Sequence, residues 1–213
     1  MSEDFAVWDE KHRFAAAQGK SSEPASIVRE LLPLLPQGIA LDLACGLGRH
    51  TLLLAAHGQR VVATDASDVA LDCIEARARL TSLNVHRFAS LEAAAHSSRP
   101  GIHLVQANLE ETSLPADAFQ LILCFQYLQR AVFRSIEHAL LPGGVLLFET
   151  FTRAQLDFPG GPHNPDFLLD PGELHAAFPA LDILFYRELR AGQGIASLAA
   201  QRPVRRRSNP RIS

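Results

Sequence analysis

Residues 41 to 49, LDLACGLGR, place the carboxylate of Asp42 two positions ahead of a loop of small residues and end that loop on a cation. Gly46 and Gly48 let a backbone approach a ligand with no Cβ in the way. A helix beginning there offers free N–H groups and the positive end of its dipole. Asp65 ends a later apolar run, RVVATD, and an acid at that place can accept hydrogen bonds from both hydroxyls of a ribose. A glycine loop with a ribose acid reads as an adenosine-nucleoside site. The dinucleotide pattern G-x-G-x-x-G fails, because Thr51 stands where the third glycine belongs. The phosphate loop of nucleotide hydrolases, G-x-x-x-x-G-K-[ST], fails too: Gly48 is followed by Arg49-His50, and the G-K-S at Gly19-Lys20-Ser21 has Phe14 where the first glycine belongs. A carboxylate at Asp42 is awkward beside a pyrophosphate. It complements a ligand that carries an ammonium and a sulfonium.

Bringing the loop and Asp65 together takes a parallel sheet. Short apolar runs alternate with helix-like stretches, which predicts strand-helix-strand units in an α/β fold. Strands are expected over 39–44, 60–64, 102–106, 119–125 and 145–150. Two more runs, 181–189 and 195–201, flank the turn residues RAGQG and predict an antiparallel hairpin at the sheet's edge. The expectation is one Rossmann-like, doubly wound, mostly parallel sheet of seven strands. Helices are expected over 24–35, ended by Pro33 and Pro36, and over 48–57, 129–140 and 171–178. Another runs from a cap at Ser67 or Asp68 to about residue 80. Leu141-Pro142-Gly143-Gly144 reads as a tight turn. Residues 81–101 have no assigned purpose beyond a short helix in SLEAAAH. The chain divides into a helical cap (1–36), the sheet domain (37–202) and a basic tail (203–213).

Composition narrows the function. The chain has 213 residues, 47% hydrophobic and 20% charged, ordinary usage for one sizeable core. A formal net charge of −3 gives no basic field for nucleic acid, and the arginines of 202–207 read as a solvated tail. Cys45, Cys73 and Cys124 are odd in number and widely spaced, so neither a disulfide framework nor a zinc site is expected. The opening MSEDFAVWDEKHRF is charged from its third residue and does not read as a signal peptide. No apolar run reaches the roughly 20 residues of a membrane span. A cytoplasmic protein with no metal, no membrane and no nucleic-acid partner is expected.

From Asp42 to Gly48 the chain resembles the first motif, (D/E)-x-G-x-G-x-G, of class I S-adenosylmethionine-dependent methyltransferases, with Ala44 for the first glycine at the expense of a methyl. The resemblance continues through ATDAS, VQANLEE, FQLILCFQYL and LLPGGVLLFETF. A narrower one, to bacterial methyltransferases of the tellurite-resistance type, rests on WDEKHRF, DLACGLGRH, QYLQR and GPHNPDFLLDPGEL. The resemblance implies that S-adenosylmethionine is the cofactor. Asp42, Ala44, Gly46 and Gly48 would line its methionine part, with Cys45 and Arg49 beside them. Asp65, with Ala66 adjoining, would hold the ribose, and Asn108 and Leu109 the adenine. Cys124 and Phe125 would floor the methyl sulfonium. The cysteines are read as buried thiols rather than nucleophiles.

Methyl transfer is an in-line displacement with a neutral leaving group, so alignment dominates and a base serves only an acceptor that must lose a proton. Candidates on the acceptor side are His163 in a long loop, and Arg13 and His12 on an N-terminal segment that in this family folds over the cofactor. Tyr127, Gln126 and Asn164 are secondary. The expected activity is methylation of a small molecule. The alternatives are an NAD-dependent oxidoreductase and a non-catalytic S-adenosylmethionine sensor on the same scaffold. Nucleic-acid methylation is disfavoured, because the fourth strand ends CFQYLQ and no aromatic-basic stripe is present. The acceptor's identity and the oligomeric state are not encoded in any motif.

Overall fold

The computed structural model describes residues 3–18 and 23–204. Most of the basic tail expected from residue 203 therefore lies outside the described residues. One sheet contains β1 (Ile39–Leu43), β2 (Arg60–Asp65), β3 (Val85–Arg87), β4 (Ile102–Gln106), β5 (Phe119–Phe125), β6 (Leu140–Phe151), β7 (Asp182–Arg190) and β8 (Gly194–Gln201). Their spatial order is β3-β4-β2-β1-β5-β6-β8-β7. The first six in that order pair in parallel, β8 is antiparallel to β6, and β7 is antiparallel to β8 at the edge. This is the expected doubly wound α/β sheet with its C-terminal hairpin. The strand order reverses between β1 and β5, where such sheets bind ligands outside the strands' carboxyl ends.

The expectation of seven strands is corrected to eight. The addition is β3, three residues from the stretch that has no legible pattern. It shows no apolar alternation because charge helps to hold it. The Arg87 guanidinium reaches Asp68 and Asp72, each at 2.5 Å, and Glu75 at 3.1 Å. All three acids lie on α4 (Asp68–Leu80). The short helix in SLEAAAH is present as α5 (Leu91–His96), capped by Ser90.

The strands in mid-sheet are covered on both faces, which explains the near-continuous apolar runs of β1 and β5. On one face α2 (Ser26–Leu31), α3 (Arg49–Ala56) and α4 bring Ile27, Val28, Leu54, Leu71 and Ile74 onto Ala40, Val61, Leu121 and Leu147. On the other, α5, α6 (Phe133–Ala139) and α7 (Glu173–Ala176) cover Leu41, Ile122 and Phe148. Alternation along β1 puts Asp42 on Ala40's face, toward α3. The cap α1 (Glu3–Ala17) lies against α4: Asp9 accepts from Ser67 Oγ at 2.6 Å and from Val69 N at 3.4 Å.

Several element ends differ from expectation. The helix expected over 24–35 is α2 followed by a 3₁₀ turn at Leu32–Leu34, because Pro33 cannot donate the next helical hydrogen bond. The helix over 129–140 is a 3₁₀ turn, Arg130–Val132, leading into α6, and α7 has only four residues. The turn read at 141–144 lies inside β6 as an irregularity. Pairing jumps from Phe119–Leu140 to Leu121–Val145, and Gly143 takes φ +83° to absorb the extra residues. Among the described residues no helix is long and apolar enough to cross a membrane.

Candidate active site

The loop after β1 is held from three sides. Cys45 N donates to Thr64 O at 3.0 Å, and Gly48 N turns back to Cys45 O at 3.0 Å. Arg77, from α4, donates to Leu47 O at 2.8 Å. The fourth tie matters most: Gly46 N donates to Asp65 Oδ2 at 2.8 Å, while Asp65 Oδ1 accepts from Ser67 N at 2.9 Å. The loop and the β2 carboxylate are therefore one unit. A Cβ at Gly48 would overlap Ile74 of α4, and φ there is +76°, so the position demands glycine. A Cβ at Gly46 would meet only His12 Nε2, at 3.7 Å, so the loop faces open space bounded by α1. Ala44 corrects the view that its substitution costs no more than a methyl. Its φ is +48°, a left-handed conformation that costs an L-residue roughly 1–2 kcal/mol.

Thr51, the residue that breaks the dinucleotide pattern, has a use of its own. Its hydroxyl donates to Asp42 Oδ2 at 2.6 Å. Asp42 is only 1% exposed. Burial pushes its carboxyl up to about 6, against the opposing pull of Thr51 and Arg49, and the negative Asp65 adds to the rise. Burial likewise raises the Cys45 and Cys124 thiols, which keeps them protonated and unreactive.

His50 fixes the neighbouring wall. Its Nε2 accepts from Ala25 N at 3.1 Å, and its ring packs on Phe125 with centroids 4.3 Å apart. Desolvation, helped by Arg49, lowers its pKa to about 3, so the ring is neutral. The unfolded chain takes up a proton near pH 6.5, whereas the folded chain does not until about pH 3. Stability conferred by the neutral ring is thus lost as pH falls through that window. Compared with His50→Gln, which keeps an acceptor but cannot titrate, the wild type should lose about 1.4 kcal/mol of stability per pH unit below 6.5. Chemical denaturation from pH 7 to 4 measures the difference between the two, and a pH-independent difference would refute it.

Two cavities flank the loop. One, about 340 Å³, lies at the carboxyl end of β4 and is lined by Gln106, Asn108, Ser90 and Glu111 among others. Gln106 Nε2 donates to Ala66 O at 3.0 Å, joining this side to the Asp65 turn. Asn108 Oδ1 accepts from Glu110 N at 3.1 Å, which leaves its amide N–H₂ as a donor. Leu109 is buried in the core below. The other cavity, about 230 Å³, lies beyond β5 and β6 and is lined by Ala25, Ser26, Arg49, Gln126, Glu149, Thr150, Arg187, Leu189, Gln193 and Ile195. Gln126 directly follows Phe125 and has φ +56°.

The residues expected to hold the cofactor thus come together around the switch point. The acceptor-side candidates scatter. His12 is half-buried over Gly46, stacks on Trp8, and its buried Nδ1 has no hydrogen-bond partner among the described residues. Arg13 is 65% exposed and faces Asp9 on its own helix at 3.9 Å. His163 is exposed on the loop between β6 and α7 and lines neither cavity. That loop is pinned by buried Gln155, whose amide donates to Gly160 O and whose carbonyl accepts from Gly194 N. Sequence reasoning did not single out Glu149, Arg187 and Gln193, which line the second cavity. Strand alternation in LLFETF and LFYREL was the available signal, but it cannot say which strands become neighbours.

A doubly wound sheet whose glycine loop is locked to a carboxylate at the switch point defines a Rossmann-like nucleoside-cofactor enzyme. Residues 41–148, just over half of the chain, match the family of methyltransferase domains, and the chain belongs to that family. It is an S-adenosylmethionine-dependent methyltransferase, which removes the oxidoreductase alternative. No protein of curated function matches the sequence significantly. Solved structures share the fold. TehB from Haemophilus influenzae is 17% identical with TM-score 0.65, over 89% of this chain and 65% of that one. A methyltransferase from Methanosarcina mazei is 17% identical with TM-score 0.62, over 86% and 100%. One from Mesorhizobium loti is 20% identical with TM-score 0.61, over 84% and 98%.

The residues present fit the cofactor. The carboxyl of Asp42, raised by burial, gains from a nearby cation. Asp65 keeps a lone pair on each oxygen beyond the backbone N–H it accepts, enough for two ribose hydroxyls. The open face of Gly46 lies beside His12 Nε2, which a Cβ there would meet at 3.7 Å.

Proposed function

We propose that the protein methylates a small molecule by in-line displacement, with the acceptor in the cavity beyond β5 and β6. The lock between Gly46 and Asp65, with a cavity on either side, carries this reading. When bound, S-adenosylmethionine supplies a methyl group on a positively charged sulfur, and the sulfide product is neutral. Asp65 takes the ribose hydroxyls, and Asn108 donates to the adenine above Leu109. Ala44, Cys45, Gly46 and Gly48 cradle the methionine part between Asp42 and Arg49, with Ala66 beside the ribose. Cys124 and Phe125 floor the methyl group. Residues 1–36 act as a cap, with His12 over the loop and Asp9 holding α1 to the start of α4. At about 230 Å³ the second cavity is below the size of drug-sized ligand sites, which favours a compact acceptor. We place the protein in the reducing cytoplasm, on the strength of three cysteines that form no disulfide.

Calorimetry tests the cofactor side. S-adenosylmethionine and S-adenosylhomocysteine should bind and NADH should not; NADH binding alone would sink the assignment. Formation of S-adenosylhomocysteine with a pooled set of small metabolites tests the acceptor side. Turnover confined to protein or nucleic acid would overturn the small-molecule reading.

A further inference from the structure

The cavity beyond β5 and β6 has a patterned floor. Glu149 of β6, Ser197 of β8 and Arg187 of β7 lie opposite one another across three strands. Ser197 Oγ donates to Glu149 Oε2 at 2.6 Å, and Arg187 Nε donates to Ser197 Oγ at 3.5 Å. Two residues along, toward the hairpin, the next row on the same face is Phe151, Ile195 and Leu189. Two cations, Arg187 and Arg49, the Glu149 carboxylate and an apolar strip therefore border one small space.

Resting on the methyltransferase reading above, we propose that this row selects the acceptor, and that the acceptor is a small organic carboxylate bearing a hydroxyl or amino group. Arg187 holds the carboxylate. It lines the cavity, its hydrogen bond among the described residues runs from Nε to Ser197 Oγ, and a guanidinium presents paired donors that match a carboxylate. Its reach is limited on one side by Ser197 and on the other by the Phe185 ring, 5.6 Å from the guanidinium carbon. Glu149 accepts the hydrogen of the acceptor's hydroxyl or amine, since its carboxylate has acceptor capacity beyond the one bond from Ser197. Leu189 and Ile195 take the apolar body. An inorganic oxyanion would suit Arg187 but would set its charge against Glu149 with nothing for the apolar strip to cover. Glu149 and Arg187 in this arrangement are binding and positioning groups.

The test titrates hydroxy- and amino-carboxylates, among them salicylate and anthranilate, into the wild-type protein saturated with S-adenosylhomocysteine. Each is paired with its neutral primary amide, and selenite serves as the inorganic anion. At least one carboxylate should bind, with its amide about tenfold weaker or worse, as expected for a hydrogen bond to a charged group. Arg187→Gln should weaken the carboxylate by about tenfold to a hundredfold, leave the amide unchanged, and leave S-adenosylhomocysteine affinity and the melting temperature in place. Arg187→Lys, which keeps the charge but not the fork, should fall between. Three results would overturn the proposal: preference for neutral or cationic compounds, preference for selenite, or no binder at all. If Arg187→Gln weakens S-adenosylhomocysteine by the same factor, the row serves the cofactor's own carboxylate and the proposal fails. Failure of the wild type to bind S-adenosylhomocysteine would instead bring down the underlying reading, and the carboxylate assignment with it.

Discussion

Asp42→Asn should make the cofactor-free protein more stable at pH 7 by about 2–3 kcal/mol and weaken its binding of S-adenosylmethionine at least tenfold. The carboxyl titrates near 6 in the fold against an ordinary value of 3.8, so keeping it charged costs roughly two pKa units, or about 3 kcal/mol. Asparagine can still accept the Thr51 hydroxyl, and its unneeded amide hydrogens offset part of the gain. The pH dependence carries the sign. Between 3.8 and 6 the folded protein holds a proton on Asp42 that the unfolded chain has released, so this group lowers stability as pH rises. His50 acts oppositely over an overlapping window, and in the wild type the two nearly cancel. The Asn variant should therefore lose stability below pH 6 about 1.4 kcal/mol per unit faster than the wild type does. A cation bound beside Asp42 holds it ionised, so wild-type affinity should also fall about tenfold per unit below pH 6, with proton uptake into the buffer. Denaturation and calorimetry in buffers of different ionisation enthalpy read both effects. Unchanged stability and unchanged affinity would remove Asp42 from the site.

Asp65→Ala should weaken S-adenosylmethionine at least a hundredfold. The side chain has two jobs that the variant loses together. It accepts Gly46 N at 2.8 Å and Ser67 N at 2.9 Å, which sets the loop against the start of α4, and in the proposed role its remaining lone pairs take the ribose hydroxyls. Each stranded backbone donor costs about 1–3 kcal/mol, and two ribose hydrogen bonds to a charged group are worth about as much again. Asp65→Asn keeps one acceptor oxygen and should lose about tenfold. Equal losses for Ala and Asn, alongside a large drop in melting temperature, would mean that Asp65 is structural alone. Affinity within a factor of about three of wild type in the Ala variant would disprove the ribose assignment.

Local chemistry made the cofactor half of the site readable. Glycines at 46 and 48, a carboxylate at 42 and another at 65 need only a strand-loop-helix to become meaningful, and β1 and β2 announced themselves by apolar runs. Ala44 shows the limit of such reading: its side chain is small, but its cost lies in a backbone angle that no residue type reveals. Thr51 shows another, since a missing glycine was legible and the hydrogen bond to Asp42 was not. β3 escaped because salt bridges from Arg87, rather than apolar alternation, help to hold it, and charges on a surface leave no period in the sequence.

The sequence by itself determined the α/β class, the parallel order of motifs around the switch point and the nucleoside chemistry of the loop, because these depend on residues close together in the chain and on the period of apolar positions. The tertiary structure decided which residues line the cavity proposed for the acceptor. Glu149 meets Ser197 and Arg187 only because β8 of the hairpin pairs antiparallel with β6, a segment far away in the chain. His163 and Arg13, plausible by residue type, are exposed. Long-range strand register, set by the burial of whole faces, determines which polar side chains share a cavity.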